Sequence, residues 1–483
     1  MLRARFGRVV LVVCGLLLLG VAQAIARNAD QRPAVSRGPG LTVGFSLAPE
    51  LTGGNAAGSA AYWDAKAHTV GTQMVRLSVG WDQIAPASRP GGFDASDPNS
   101  PGYNWASVDQ QVEQLTAEGF QVMLTIDGAP RWAEGSGKPS WAPAGSWEPS
   151  ASDFGAFATA IARRYDGSTP NPQDPSETLP RVTLWQPWNE PNLDVYLSPQ
   201  WNRNSRGAFV EAAPAIYRKM LNAFYRSVKA VSAANYVIAA GTAPYGLPPG
   251  GARMGPVTFD QYLFCLNTSD RRVGCSDPAH FNAIDHHPYG VEGPTWHAIN
   301  SYDAAVPDIY KLTRVLRIAE RDHTVLPSGR QGVWVTEVSW NTNPPESGGV
   351  SVAQAARWLE QTFYILWSQG VSHVCWFQLA DAGPGNYNSG VYFQDGRAKA
   401  GATAFRFPFV THRRNSATVV AWGRSPQAGE LRIERQTSHG WTVLAQFAVS
   451  QSEVFSLPLA IHRSAQFRAV VGANTSLTWS QGS

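Results

Sequence analysis

Glu190 closes the apolar, tryptophan-rich run LWQPWNEPN (184–192), and Glu337 lies in VWVTEVSW (333–340). Each carboxylate follows strand-like residues and precedes a loop. One such glutamate alone reads equally well as half of a structural ion pair. Two of them facing one another meet the requirement of glycoside hydrolysis. One carboxyl group gives a proton to the departing sugar oxygen, while the other stabilises or attacks the anomeric carbon. Trp185, Trp188 and Pro191 are expected to strip water from Glu190 and suit it to the acid's role.

Such a pair needs a scaffold that brings residues 190 and 337 to one place. From Leu41 onward, apolar runs alternate with amphipathic stretches. The runs are LTVGFS, QMVRLSVGW, FQVMLTIDG, RVTLWQPWNE, YVIAAGTAP, FNAIDHHPYG, GVWVTEVSW and VSHVCWFQLA. Between them lie helix-like segments. In one, Val108, Val112 and Leu115 recur at spacings of three and four before Gly119 stops the pattern. In another, Ser150 and Asp153 make a capping pattern ahead of Phe154, Phe157 and Ile161. Eight repeats over residues 41–410 predict an α/β fold, a (β/α)8 TIM barrel, with catalytic groups at the C-terminal ends of the strands. No strand is followed by a dinucleotide or phosphate-binding glycine motif. Residues 411–483 change character to short β-type runs broken by Gly, Ser, Pro and Asn. They predict a small antiparallel, sandwich-like β domain that stabilises the barrel or binds glycan.

WNEPN on the fourth strand and TEVSW on the seventh resemble the signature of glycoside hydrolase clan A, of the family 39-like and family 5-like secreted bacterial kind. The resemblance covers 41–410 and implies Glu190 as acid/base and Glu337 as nucleophile of a retaining enzyme. The carboxyl groups would then stand about 5–5.5 Å apart. It also implies that Asn189 hydrogen-bonds a sugar hydroxyl or the nucleophile, and that Arg76 and Tyr289 hold Glu337. His287 would line the site and Trp376 would form an aromatic platform under the sugar. His287 and Tyr289 are two apart and share a strand face, which leaves His286 pointing away. At the third strand the sequence reads TIDGAPRWA, placing Asp127 and Trp132 where many family 5-like enzymes carry a histidine. Aromatic residues in the predicted loops (Trp81, Trp132, Trp141, Trp147, Tyr196, Trp201, Trp296 and Trp340) suit a carbohydrate cleft as a group. An α-L-arabinofuranosidase or another exo-glycosidase shares this chemistry. A non-catalytic glycan-binding barrel would not need both glutamates.

The bulk composition fits. Of 483 residues, 43% are apolar and 16% charged, enough to bury a large core. The +3 charge vanishes without Arg3, Arg5 and Arg8, so no nucleic-acid partner is expected. Those arginines precede the apolar run 9–22 and the small residues Ala22, Ala24 and Ala26, a signal-peptide pattern over 1–26. A linker is expected over 27–40. Secretion follows, with membrane attachment only if the segment stays uncleaved. Cys265 and Cys275 flank a polar loop, which leaves a short-loop disulfide or two free thiols open. No metal-ligand spacing occurs; no cofactor is expected, and a monomer acting on carbohydrate is.

Overall fold

The computed structural model describes residues 35–482; the expected signal segment and residues 27–34 of the linker lie outside them. Among the described residues the chain divides into two units, Pro39–Pro408 and a second built from 409–482 together with 35–38.

The larger unit is a (β/α)8 barrel. Its strands are β1 (Thr42–Ser46), β2 (Met74–Gly80), β3 (Gln121–Asp127), β4 (Leu184–Pro187), β5 (Tyr236–Val237), β6 (Ala283–Asp285), β7 (Gly332–Val338) and β8 (His373–Phe377). All neighbours are parallel, in the order β6-β7-β8-β1-β2-β3-β4-β5. Isolated parallel bridges, Ile238–Ala283 and Thr242–His286, close the seam between β5 and β6. The outer helices are α1 (Ala60–Val70), α2 (Ala106–Ala117), α3 (Ala151–Arg164), α4 (Ala213–Val231), α5 (Pro256–Leu263), α6 (Ile309–Arg321), α7 (Val352–Ser368) and α8 (Ala400–Arg406). Their starts follow local chemistry. The Ser59, Ser150 and Ser351 hydroxyls accept from backbone N–H groups of the first turn in α1, α3 and α7. Pro214 and Pro256 occupy first-turn positions of α4 and α5, where no intrahelical donor is needed.

Inside the barrel, Met74, Met123, Leu184, Ile238, Ala283, Trp334 and Cys375 form one apolar layer. β1 contributes Gly44 at that level. A Cβ there would stand 2.0 Å from the Met74 carbonyl oxygen, so β1 and β2 approach this closely only through glycine. Side chains alternate along a strand, so residues two further on also face inward. These are Ser46, Arg76, Thr125, Gln186, Ala240, Asp285, Thr336 and Phe377, and all but Ala240 and Phe377 are polar. The apolar layer is thus a floor, and the polar layer above it is the base of the C-terminal mouth.

The second unit holds two antiparallel sheets. One contains Phe409–Asn415, Thr418–Arg424 and Val454–Ala460, the other Gly429–Thr437, Gly440–Val449 and Ala465–Val471. Residues Ser36–Arg37, expected within a linker, instead form a strand along the edge of Val454–Ala460. Edge pairing satisfies backbone groups that a free linker would leave to water.

Candidate active site

The polar layer is a connected network. Gln186 is wholly buried; its Oε1 accepts from Arg76 Nε (2.9 Å) and Thr125 Oγ1 (2.8 Å), and its Nε2 donates to Asp285 (2.7 Å). Arg76 also donates to Ser46 Oγ (3.1 Å), to Asn189 Oδ1 (2.6 Å) and to Glu337. Asp285 accepts from the Thr336 backbone N–H (2.8 Å) and from the Thr336 hydroxyl. Every buried charge in this layer therefore has a partner, as low-dielectric surroundings demand.

Local departures from regular strand geometry set the two glutamates on this base. The β7–β8 register shifts between Val335 and Val338. Thr336 and Glu337 are consecutive, yet Thr336 bonds Asp285 while Glu337 bonds Arg76 and Tyr289, so both face the interior. After β4, Trp188 and Glu190 take positive φ values of 80° and 35°. Trp188 turns outward, packing on Phe154 of α3 and donating to the Tyr196 carbonyl. Asn189 and Glu190 turn inward to Arg76 and His287. Left-handed backbone is strained for residues with side chains, and here it aims a side chain that regular alternation would not.

His287 links the two halves. Its Nδ1 lies 3.0 Å from Glu190 Oε1 and 3.8 Å from Glu337, and its Nε2 lies 3.3 Å from Asp285. Burial alone would lower its pKa. The Glu337 charge and the bonds to Asp285 and Glu190 outweigh burial and push it up to about 10, so it is an imidazolium donating from both nitrogens. Burial likewise opposes ionisation of Asp285, but His287, Thr336 and Arg76 hold its pKa below the ordinary carboxylate range. The Tyr289 hydroxyl donates to Glu337 Oε2 at 2.9 Å. His286 faces the other way, between Thr242 Oγ1 (2.8 Å) and the Ala304 carbonyl (2.9 Å), and burial pushes it down to about 4. Asn189 reaches Glu337 only by way of Arg76.

The Glu190 and Glu337 carboxylates and the His287 ring each present an atom within 4.8 Å of the others. Three such groups could hold a metal ion by spacing alone. The donor chemistry argues otherwise, since an imidazolium offers no lone pair and Glu337 is already held by Arg76 and Tyr289.

The family model "Cellulase (glycosyl hydrolase family 5)" matches residues 40–290, slightly over half of the chain. The chain belongs to glycosyl hydrolase family 5. It is a glycosidase of clan A, and the matched span contains Glu190, His287 and Tyr289 but ends before Glu337. Similar solved structures include a family 39 glycoside hydrolase from Bacteroides cellulosilyticus WH2, 17% identical with a TM-score of 0.52, over 88% of this chain and 81% of that one. A glucosidase from Croceicoccus marinus is 15% identical with a TM-score of 0.49, over 90% and 98% of the two chains. The GH5-4 broad specificity endoglucanase from Clostridium acetobutylicum is 14% identical with a TM-score of 0.44, over 74% and 94%. No curated protein matches.

Two aromatic expectations for this glycosidase need correction. Cys375 belongs to the interior layer, so its neighbour Trp376 points out of the barrel. There its indole donates to the Ser389 carbonyl and it packs near Trp340, so it is no platform in the mouth. Phe377 holds the inward position instead, edge-on to Tyr289 and Tyr387. Trp185 points outward by the same parity, between the inward Leu184 and Gln186. The surroundings of Glu190 are thus His287 rather than the two indoles. Trp132 is held in its loop by the Pro86 carbonyl, by Arg89 over its face at 4.3 Å, and by Trp81 and Phe93. Trp81 and Trp340 are buried, while Trp141 and Trp296 are exposed.

Sequence reasoning missed Asp285, Gln186 and Thr336. Counting two residues along each strand from its inward apolar position would have found them. Asp127, at the end of β3, is pushed up to about 6 by burial, against the pull of Arg76.

Proposed function

We propose that the protein is a secreted, monomeric, retaining glycosidase acting on a polysaccharide or oligosaccharide, with Glu190 as acid/base and Glu337 as nucleophile. The observation that carries this is the spacing of the pair. Oxygens of the two carboxylates within 4.8 Å fit the short separation of a double displacement. An inverting pair, with its intervening water, stands roughly 6.5–9.5 Å apart. The partners support the division of labour. Arg76 and Tyr289 donate to the two Glu337 oxygens and aim the carboxyl group, as attack on the anomeric carbon requires. Asn189, fixed by Arg76, is placed to meet the sugar bound between the glutamates. All these groups come from one chain, so a single copy suffices. The signal-like residues 1–26 and the Cys265–Cys275 disulfide support secretion, since such bonds persist in oxidising compartments.

The test is a panel of aryl glycosides and polysaccharides with wild type, Glu190→Ala and Glu337→Ala. Glu337→Ala should lose every substrate, and azide should restore turnover with a product of inverted anomeric configuration. Glu190→Ala should lose about 10²–10⁴-fold on poor leaving groups and little on activated aryl glycosides, which need no proton. Azide should then give the substrate's own anomer. Reversed outcomes would reverse the roles, and full activity in both variants would end the reading.

A further inference from the structure

A cavity of about 440 Å³ opens between the outer helices α5 and α6, and none of its lining residues belongs to the catalytic mouth. Its volume falls within the roughly 300–1,000 Å³ of small-molecule pockets. Its walls are held by bonds among themselves. The Val257 N–H donates to the Tyr302 carbonyl (3.1 Å), and a Cβ on Gly255 would stand 2.5 Å from the Tyr302 ring. Gln261 of α5 donates to Asp270 (2.7 Å), and Arg314 of α6 donates to the same carboxylate. Asp270 lies in the loop closed by Cys265–Cys275, so that loop is tied to both helices. The cavity is therefore formed before any ligand arrives.

Its charges are already matched. Arg314 pairs with Asp270, while Lys311 stands 3.4 Å from Asp308 and donates to the Asp303 carbonyl (2.9 Å). No unpaired cation is left to select an anion. What remains is hydroxyl groups and apolar surface. Thr258, Thr268, Ser301, Tyr302 and Tyr310 line the cavity, and none of their hydroxyls has a hydrogen-bond partner among the described residues. They are left to water or to a ligand. Val257, Val315 and the two tyrosine rings supply the apolar faces, and Tyr310 is 53% exposed. A neutral sugar unit answers both features. Its hydroxyls donate and accept at once, and its ring turns an apolar face to an aromatic side chain. A wholly apolar ligand would strip water from the five hydroxyls and give nothing back.

We propose that this cavity is a second, non-catalytic binding site for a neutral glycan chain, on the outer wall of the barrel. The choice of a polymer as ligand rests on the reading of the protein as one that acts on polysaccharide. A chain held here keeps its other segments at high effective concentration near the mouth without any new contact to the glutamates. Long chains then gain from the site, and small glycosides do not.

The test is affinity electrophoresis of the full chain carrying Glu337→Gln, in gels containing mixed-linkage β-glucan, glucomannan, arabinoxylan or polygalacturonate. Retardation is expected in at least one of the three neutral gels. Adding Tyr310→Ala, or Ser301→Trp to fill the cavity, should weaken that retardation at least fivefold. Both positions are exposed, so melting temperature should hold. With Glu337 restored, each substitution should slow hydrolysis of the retained polymer at least threefold at low concentration and leave an aryl glycoside within twofold. Unchanged retardation, no retardation in any neutral gel, or a response confined to polygalacturonate would overturn the proposal. Equal losses on polymer and aryl glycoside would overturn it too, because the helices would then only support the mouth. The two readings fail separately. Hydrolysis of a polymer whose retention ignores both substitutions refutes the second site alone. Retention that both substitutions abolish, with no hydrolysis of any polymer by wild type, refutes action on polysaccharide alone.

Discussion

Arg76 bonds four side chains that the sequence scatters over nearly three hundred positions: Ser46, Gln186, Asn189 and Glu337. A planar fork of five donors can do this, and a lysine cannot. Arg76→Met should destabilise the barrel by about 3–5 kcal/mol, because it leaves Glu337 and Asp285 in the interior without that cation. Urea unfolding checks this, and a loss below 1 kcal/mol would show the charge to be dispensable. His287 makes a pH prediction. Its folded pKa of about 10 stands above the ordinary 6.5, so its contribution to stability is complete below about 6.5 and is lost as pH rises towards 10. Melting temperature should fall across that alkaline window, and His287→Gln should flatten the fall. His286 works in the opposite sense. Its folded pKa near 4 means stability is lost as pH drops from about 6.5 towards 4.

At the scale of elements, the polar layer depends on strands approaching closely below it. Gly44→Ala puts a methyl group into the Met74 carbonyl, a clash with backbone that no rotamer relieves. We expect a loss of stability of at least about 3 kcal/mol or failure to fold, which soluble yield and thermal melting would report. Wild-type melting would show that β1 and β2 can part without cost. The loop after α5 is closed by Cys265–Cys275, with Cα atoms 5.9 Å apart and a sequence separation of 10. Chain-entropy arguments give about 2–3 kcal/mol for so short a loop. Replacing both cysteines by serine should remove that much in denaturant unfolding, with no further effect of reductant. Continued sensitivity to reductant would point to a different thiol pairing.

For the whole molecule, the second unit is discontinuous in sequence. Ser36 and Arg37 pair with Ser456 and Phe455, and Arg37 reaches Glu453 at 3.1 Å. A chain beginning at residue 41 would bare the edge of Val454–Ala460, a run with four large apolar residues. Exposed edges of this kind recruit other strands. Light scattering at equal concentration should show more aggregation than for a chain beginning at residue 35, while hydrolysis per folded molecule stays the same. Equal scattering would show that the two-residue strand protects nothing.

The sequence by itself determined the repeat of eight strands and helices, since local periodicity encodes which segments are extended and which are helical. It also determined the strand ends near which Glu190 and Glu337 stand, because an apolar run and the loop that follows it are local in sequence. His287 and Tyr289 lie past the end of β6, where the Tyr289 N–H donates to the His287 carbonyl, so their place in the site came from the fold and not from strand alternation. Which face is interior is not local. Trp376 and Cys375 could each have faced inward until neighbouring strands placed Cys375 against Met74 and Trp334. The consecutive inward pairs Thr336–Glu337 and Asn189–Glu190 break alternation through a register shift and positive φ, and strand periodicity holds no trace of either. The charge of His287 was equally out of reach. It is set by Asp285, Glu190 and Glu337, and electrostatic interaction depends on distance in space, which only the closed barrel makes short.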